Sequence, residues 1–271
     1  MLAMHDYSRY FTIMHGDLPL GRRDVIAARL ESGQPVSAAT LAIEFTVSED
    51  AIRRDLRALA AEGRCRRVYG GALPLSPATV PMAARIETRQ VEKLRLARAA
   101  VATVERGELL FLDSGSTNLA IVDALPEDTD LVIATNAIDI AAAVLRRQDL
   151  QLIVVGGSAD ILVGGCVDAA ATAVVGQMRI SRAFLGACSV SAEDGVGAFH
   201  FPDACFKRAV RAASRRTVVL ATAEKLKESA PHLVASLSDI DTLIVEPGTD
   251  AHQRAALEAG GCRHVLVADG D

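Results

Sequence analysis

Six arginines stand between positions 53 and 67: Arg53, Arg54, Arg57, Arg64, Arg66 and Arg67. Only Asp55 and Glu62 oppose them, so the local balance is +4, while the whole chain carries −5 and the remainder therefore −9. An acidic chain with one concentrated arginine patch is built to meet a polyanion at that place. A second set of chemically capable residues is Asp113-Ser114-Gly115-Ser116-Thr117. Small residues, backbone N–H groups and hydroxyls at a helix start can cradle a phosphate. A capped strand-to-helix turn has the same composition, so both readings stand.

The arginines need an element to aim them. Ser48 sits where an N-cap belongs, and Glu49 and Asp50 suit the positive end of a helix. Ile52, Leu56 and Leu59 then fall on one apolar stripe. Arg53 and Arg57 share another face, with Arg54 about 100° away. Gly63 ends the helix. Upstream, Arg22–Leu30 and Ala38–Phe45 read as two further helices, and Thr46-Val47 as a short connection. This is the helix-turn-helix order, whose second helix enters the major groove of DNA. Arg64 to Tyr69 alternates basic and other residues before Gly70-Gly71, as a wing beside the groove would.

From position 108 short apolar runs appear at 109–112, 131–134, 152–155, 183–186, 218–221, 243–245 and 265–267. Helical stretches lie between most of them, at 118–125, 137–146, 169–178, 204–214 and 251–259, and another is expected over 87–104. Buried strands alternating with helices predict an α/β domain with a parallel sheet covered on both faces. Ligands bind such sheets beyond the carboxyl ends of the strands. The residues there are the 113–117 loop, Thr135-Asn136, Gly156-Gly157 and Lys225. Thr135-Asn136 reads as a cap or a ligand contact, and Gly156-Gly157 as a turn or a close approach to a ligand. Asp203 and Lys207 share a helix face, which by itself suggests a surface pair, and a lone lysine such as Lys225 is ordinarily solvated.

At 271 residues, half of them hydrophobic, the chain suits two domains. The expected division is a flexible extension over 1–18, a winged helix-turn-helix over 19–73, a proline-bearing linker over 74–84 and a ligand-binding domain over 85–271. No apolar run reaches the length of a membrane span, and no signal-peptide core is present. The five cysteines lack Cys-x-x-Cys spacing, so reduced thiols in a cytoplasmic protein are expected, with no metal site and no cofactor. Neither Gly-x-Gly-x-x-Gly after a strand nor a Walker A sequence occurs, which argues against nucleotide binding.

Residues 20–75 closely resemble the winged helix-turn-helix of the DeoR family of bacterial sugar-responsive repressors. The matching residues are Val47-Ser48, Ile52-Arg53-Arg54-Asp55-Leu56, Leu59, Gly63 and Arg67-Val68-Tyr69-Gly70-Gly71-Ala72, with Ala51 where the family usually has Thr. Residues 85–267 resemble that family's effector domain, which is related in fold to ribose-5-phosphate isomerase. Asp113, Gly115, Ser116 and Thr117 match its Asp-x-Gly-Thr/Ser-Thr loop. Thr135-Asn136, Gly156-Gly157 and Asp203 with Lys207 match further motifs, although Asp203 stands where Glu is usual. A last Asp-x-x-Lys is half matched, because Thr222 replaces the acid while Lys225 remains.

The resemblance implies a transcriptional regulator, a homodimer or homotetramer. It would bind double-stranded operator DNA through Ser48, Arg53, Arg54, Arg57, Arg64, Arg66, Arg67 and Tyr69. A phosphorylated sugar would bind at Asp113, Ser114, Gly115, Ser116, Thr117, Thr135, Asn136, Gly156, Gly157, Asp203, Lys207 and Lys225. Its phosphate would sit on the N–H groups and hydroxyls of Ser114–Thr117 with a lysine beside it, and Asp113 would hold sugar hydroxyls. The alternative is a sugar-phosphate isomerase with a basic appendage, in which Asp113 or Asp203 is the base and Lys207 or Lys225 steadies an enediolate. Limited proteolysis tests the expected linker: cleavage there should release a folded fragment beginning near residue 84. Loss of residues 1–18 with no such fragment would argue for fused domains.

Overall fold

The computed structural model describes residues 19–31, 34–74 and 80–269. The expected extension over 1–18 and the middle of the expected linker lie outside the described residues. The chain forms two compact units, the second beginning at Val80.

The first unit contains α1 (Pro19–Glu31), β1 (Val36–Ser37), α2 (Ala38–Glu44), α3 (Glu49–Ala61), β2 (Arg66–Val68) and β3 (Gly71–Leu73). Ser37 and Ser48 cap α2 and α3, accepting the N–H groups of Thr40 and Ala51. The stripe Ile52, Leu56 and Leu59 is buried against Ile26, Leu30 and Leu41. The strands form an antiparallel sheet in the order β1-β3-β2, with Ala72 between Val36 and Arg67. Gly71 permits this: a Cβ there would lie 2.0 Å from the Val36 carbonyl oxygen. Arg22 of α1 donates to Asp55 of α3 at 2.7 Å, and both side chains are buried. Asp55, counted above against the arginine patch, is therefore neutralised inside the unit.

The second unit opens with α4 (Met82–Ile86), α5 (Gln90–Val101), β4 (Leu109–Leu112), α6 (Ser116–Ala124), β5 (Val132–Thr135), α7 (Ile138–Leu145) and β6 (Gln151–Val154). It continues through β7 (Ala159–Asp160), β8 (Gly165–Cys166), α8 (Ala169–Val175), β9 (Ile180–Leu185), β10 (Ser189–Ser191), β11 (Gly195–Ala198) and α9 (Phe201–Ala212). β12 (Ser214–Ala221), β13 (His232–Ala235), β14 (Thr242–Val245), α10 (Ala251–Ala259) and β15 (His264–Val267) complete it. Seven parallel strands lie in the order β15-β14-β12-β9-β4-β5-β6. Alternating strand residues feed two cores. Leu110 and Leu112 of β4 pack with Leu96, Ile121 and Val144 from α5, α6 and α7. Phe111 packs with Ala171, Phe206 and Leu257 from α8, α9 and α10, and with the small antiparallel sheet β10-β11-β13.

The strand order reverses between β4 and β9, so the loops after these two strands diverge and leave a crevice at the carboxyl edge. The helix expected over 87–104 is broken instead. Arg89 takes a left-handed backbone (φ 53°) between α4 and α5, and α4 begins within the stretch read as linker. The inward face of α5 carries Lys93, Leu96, Ala97 and Ala100. Val91, on the opposite side, is 61% exposed.

Removing Asp55 would strand a buried guanidinium, so Asp55→Ala should cost about 3–5 kcal/mol of stability in the first unit. Urea unfolding measures this. A loss below about 1 kcal/mol would mean that solvent already reaches the pair.

Candidate functional site

The crevice at the switch point is lined by the residues that follow β4, β5, β9 and β12. Asp113 ends β4 and is fully buried. Its N–H donates to the Phe184 carbonyl across the gap at 3.1 Å. Its Oδ2 accepts the Gly186 N–H at 2.8 Å and Lys207 Nζ at 2.7 Å, and its Oδ1 accepts the Ser114 N–H at 2.8 Å. Lys207 also lies 2.8 Å from Asp203, one turn earlier on α9. Asp203 and Lys207 thus form a buried pair, not a surface pair. Burial opposes the Lys207 charge, but Asp113 and Asp203 outweigh it and hold the lysine's pKa above its usual range. Burial pushes the Asp113 carboxyl up, against the pull of the same ammonium.

The side chains of Asp113 and Lys207, expected against a ligand, are here buried against each other. Asp113 and Asp203 each direct a carboxylate oxygen at the Lys207 ammonium. Asn118 joins them as a positioning residue: its amide donates to the carbonyls of Asp113 and Phe184 at 2.9 and 2.8 Å. Its place at the start of the expected helix carried no sign of this in the sequence.

The loop beyond Asp113 is open to a ligand in part. The Ser114 N–H is taken, by Asp113 and by Asn136 Oδ1 at 3.1 Å. Ser114 is buried, whereas Gly115 and Ser116 are partly exposed. Helix α6 begins at Ser116 with Gly115 as its N-cap, and no side chain caps it. The first N–H groups of a helix have no intrahelical acceptor, and they carry the positive end of its dipole. Thr135 is structural: its hydroxyl donates to the Leu112 carbonyl at 2.6 Å and accepts the Ala137 N–H at 3.0 Å. Gly156 and Gly157 follow the edge strand β6, and Gly157 packs on the Asp168 carboxylate that caps α8. No hydrogen bond or ion pair among the described residues joins them to the 113–117 loop.

Cations gather over the same loop. Lys225 Nζ donates to Thr117 Oγ1 at 3.4 Å and to the Leu220 carbonyl at 3.2 Å, and no carboxylate pairs with it among the described residues. Burial lowers its pKa to about 8; Arg85, Lys93 and Lys207 add to the lowering, against an opposing influence from Cys188. Lys93 is also lowered to about 8, by burial and by Arg85 above all. Lys93 Nζ donates to the Arg85 carbonyl, and Arg85 Nη2 to the Leu162 carbonyl, while Arg85 Nε is buried without a partner. An ion-pair network fixes this arrangement. Arg89 grips both Glu246 oxygens at 2.9 Å and lies 3.3 Å from Glu224, which ties the start of α5 to the Thr222–Lys225 turn. Sequence reasoning missed Arg85 and Lys93. The available signal was a lysine at an inward position of α5.

In the first unit the expected DNA-facing residues fall into groups. Ser48 caps α3. Arg53 is drawn to Glu49 at 2.6 Å and Asp50 at 3.4 Å, and Arg57 Nε donates to the Arg53 carbonyl at 3.2 Å. Arg54, Arg66 and Arg67 are exposed, and Arg64 is half-buried near Glu62. Tyr69 stands fully exposed at the tip between β2 and β3. Exposed pairs such as Arg53–Glu49 contribute only about 0.5 kcal/mol, so they leave Arg53 available to a stronger anion.

Among the described residues no helix is long and apolar enough to cross a membrane, and no cluster could hold a metal ion. Residues 22–78 match a DeoR-like helix-turn-helix domain and residues 88–247 the DeoR C terminal sensor domain. The glycerol-3-phosphate regulon repressor of Escherichia coli (strain K12) is 30% identical over 212 residues, which are 78% of this chain and 84% of the relative. The transcriptional repressor AccR of Agrobacterium fabrum is 26% identical over 231 residues, 84% of this chain and 90% of the relative. The crystal structure of ribose 5-phosphate isomerase A from Neisseria gonorrhoeae is 16% identical, with a TM-score of 0.38 over 51% of this chain and 54% of that one. The chain belongs to the DeoR family, and it is a helix-turn-helix transcriptional regulator rather than an enzyme.

Proposed function

We propose that this regulator is a cytoplasmic homo-oligomeric repressor that is released from operator DNA by a small phosphorylated sugar. The observation that carries the effector half is Lys225. It is a half-buried ammonium with no carboxylate partner among the described residues, 3.4 Å from the hydroxyl of Thr117 at the uncapped start of α6. A buried cation held without an anion costs free energy, and a bound phosphate removes that cost. The phosphate sits on the first N–H groups of α6 and the Ser116 and Thr117 hydroxyls, and draws Lys225, Lys93 and the free Arg85 Nε–H. Asp113, Lys207 and Asp203 shape the cradle from beneath. The names of the relatives above, one of them a glycerol-3-phosphate regulon repressor, support an effector of this class.

For the DNA half, α3 lies in the major groove with Arg53, Arg54 and Arg57 toward the bases, and Arg66, Arg67 and Tyr69 of the wing meet the backbone. Operators for such modules are paired half-sites, which supports an oligomer. The locus is disfavoured at the membrane by the acidic remainder of the chain, and a DNA-binding role requires access to the nucleoid.

Titration calorimetry with phosphorylated sugars and their unphosphorylated forms tests the cradle. Binding should require the phosphate. Lys225→Met should abolish binding without loss of stability, because the lowered pKa marks a charge that folding disfavours. Lys207→Met should instead destabilise the fold, by leaving two carboxylates facing each other. Equal affinity for both forms of the sugar would remove the phosphate from the reading.

The pH dependence has a definite sign. A lysine lowered to about 8 in the fold is still protonated at that pH in the unfolded chain. The stability penalty is thus complete below about 8 and is relieved as pH rises toward the ordinary lysine value near 10. Effector affinity runs the other way. It should hold between about pH 6, where the phosphate becomes a dianion, and 8, then fall as Lys93 and Lys225 lose their protons. At pH 8 binding should take up protons, visible as a calorimetric heat that varies with the buffer. For DNA, Arg54→Ala should cost roughly 1–3 kcal/mol and relax sequence preference, while Arg67→Ala should weaken all sequences and flatten the salt dependence. Unchanged operator affinity in both variants would displace α3 and the wing from the interface.

A further inference from the structure

We infer that α4 and the β7–β8 hairpin form a latch through which occupancy of the cradle is passed to the chain leading to the DNA-binding unit. This rests on the cradle reading above and concerns its regulation. A continuous set of contacts runs outward from the loop. The Ser114 N–H donates to Asn136 Oδ1 at 3.1 Å, and the Asn136 amide donates to the Cys166 carbonyl of β8 at 3.1 Å. The Cys166 N–H returns to the Asn136 carbonyl at 2.9 Å, so one asparagine clamps the hairpin to the cradle. The hairpin is stiff: Asp160 Oδ1 accepts the N–H groups of Leu162 and Val163 at 2.7 and 3.1 Å.

The far side of the hairpin seats α4. Met82 is buried against Gly164, where an added Cβ would fall 2.5 Å from Met82 Cγ, and Gly164 has φ +77°. The Met82 N–H faces the Ile161 carbonyl at 3.5 Å, and Arg85 donates to the Leu162 carbonyl. Met82 and Ile86 also close over Gly115 and Ser116, in a void of only about 10 Å³. Arg85 therefore has two claims on it. It holds the hairpin through Leu162, and its unpartnered Nε–H lies in the cation cluster over the cradle. A phosphate competes with a neutral carbonyl for that guanidinium, and a charge-assisted bond is the stronger of the two. Arg85 moves toward the anion, α4 shifts on its Met82 pivot, and α4 is the first helix after the linker.

Hydrogen–deuterium exchange on the full chain tests this, with inorganic phosphate as the probe and chloride at equal ionic strength as the reference. Phosphate should slow exchange at 114–117 and also change it at 160–166, which the anion does not touch. Its affinity for DNA from the chain's own upstream region should change as well. In Met82→Ala the slowing at 114–117 should persist, while the change at 160–166 and the effect on DNA affinity should both be lost. Gly164→Ala drives a methyl into Met82, so it should leave 160–166 the same with and without phosphate. Protection confined to 114–117 in the wild type, or an unaltered hairpin response in Met82→Ala, would overturn the latch and leave the cradle standing. No protection at 114–117 would overturn the cradle reading and the latch with it.

Discussion

The effector unit depends on one ion triad, Asp113–Lys207–Asp203, buried where the strand order reverses. At 2.7 Å and an effective dielectric constant near 20, a pair of this kind gains about 6 kcal/mol of attraction. Desolvating each ion takes back several kcal/mol. Attraction and desolvation nearly cancel, so the triad is poor as a source of stability. Its value is geometric. One lysine fixes the end of β4 and helix α9, and the Asp113 carboxylate fixes the Gly186 and Ser114 N–H groups as well. The loops after β4 and β9 are positioned from this point, and a half-satisfied version would be worse than an apolar core.

Just above the triad the electrostatics are left open. Among the described residues Lys207 has two carboxylates, whereas Lys225 has none and Lys93 donates only to a backbone carbonyl. The contrast is visible in the pKa directions: Lys207 is raised, and Lys93 and Lys225 are lowered to about 8. Thr222 contributes to this difference, since an acid at that position would stand three residues from Lys225 in the same turn. A site held at a cost when empty gains on binding an anion, and that gain can be coupled to a change of state.

The sequence made much of this legible, and the gaps have physical reasons. The capped, arginine-bearing α3 could be read because cap, apolar stripe and terminal glycine all agree. The seven parallel strands could be read because buried strands are continuous apolar runs. The short strands β7, β8, β10 and β11 could not, since two to four residues carry no period. Asp113 and Asn136 could be placed after strands, and Asp203 with Lys207 on one helix face, but their burial against one another could not be read. Spacing shows that Asp203 and Lys207 share a face, but it does not show that the face is buried. Arg85 and Lys93 were missed because a left-handed Arg89 rotates α5 relative to a continuous helix.

Arginine serves opposite ends in the two units, and burial decides which. Arg22, sealed against Asp55, joins α1 to α3 and has no charge left to offer a partner. Arg54, Arg66 and Arg67 are exposed and unneutralised among the described residues, in a chain whose remaining charge is negative. The acidic remainder would favour approach of a polyanion at α3 and the wing, the face proposed for DNA. In the effector unit the cations Arg85 and Lys93 both lie on the first segment after the linker, at 82–93, and not on the sheet. In the proposed reading, an anion at the switch point would pull on the segment that continues toward the linker. Cations placed on the sheet would bind the same anion equally well, but would leave that segment indifferent to it.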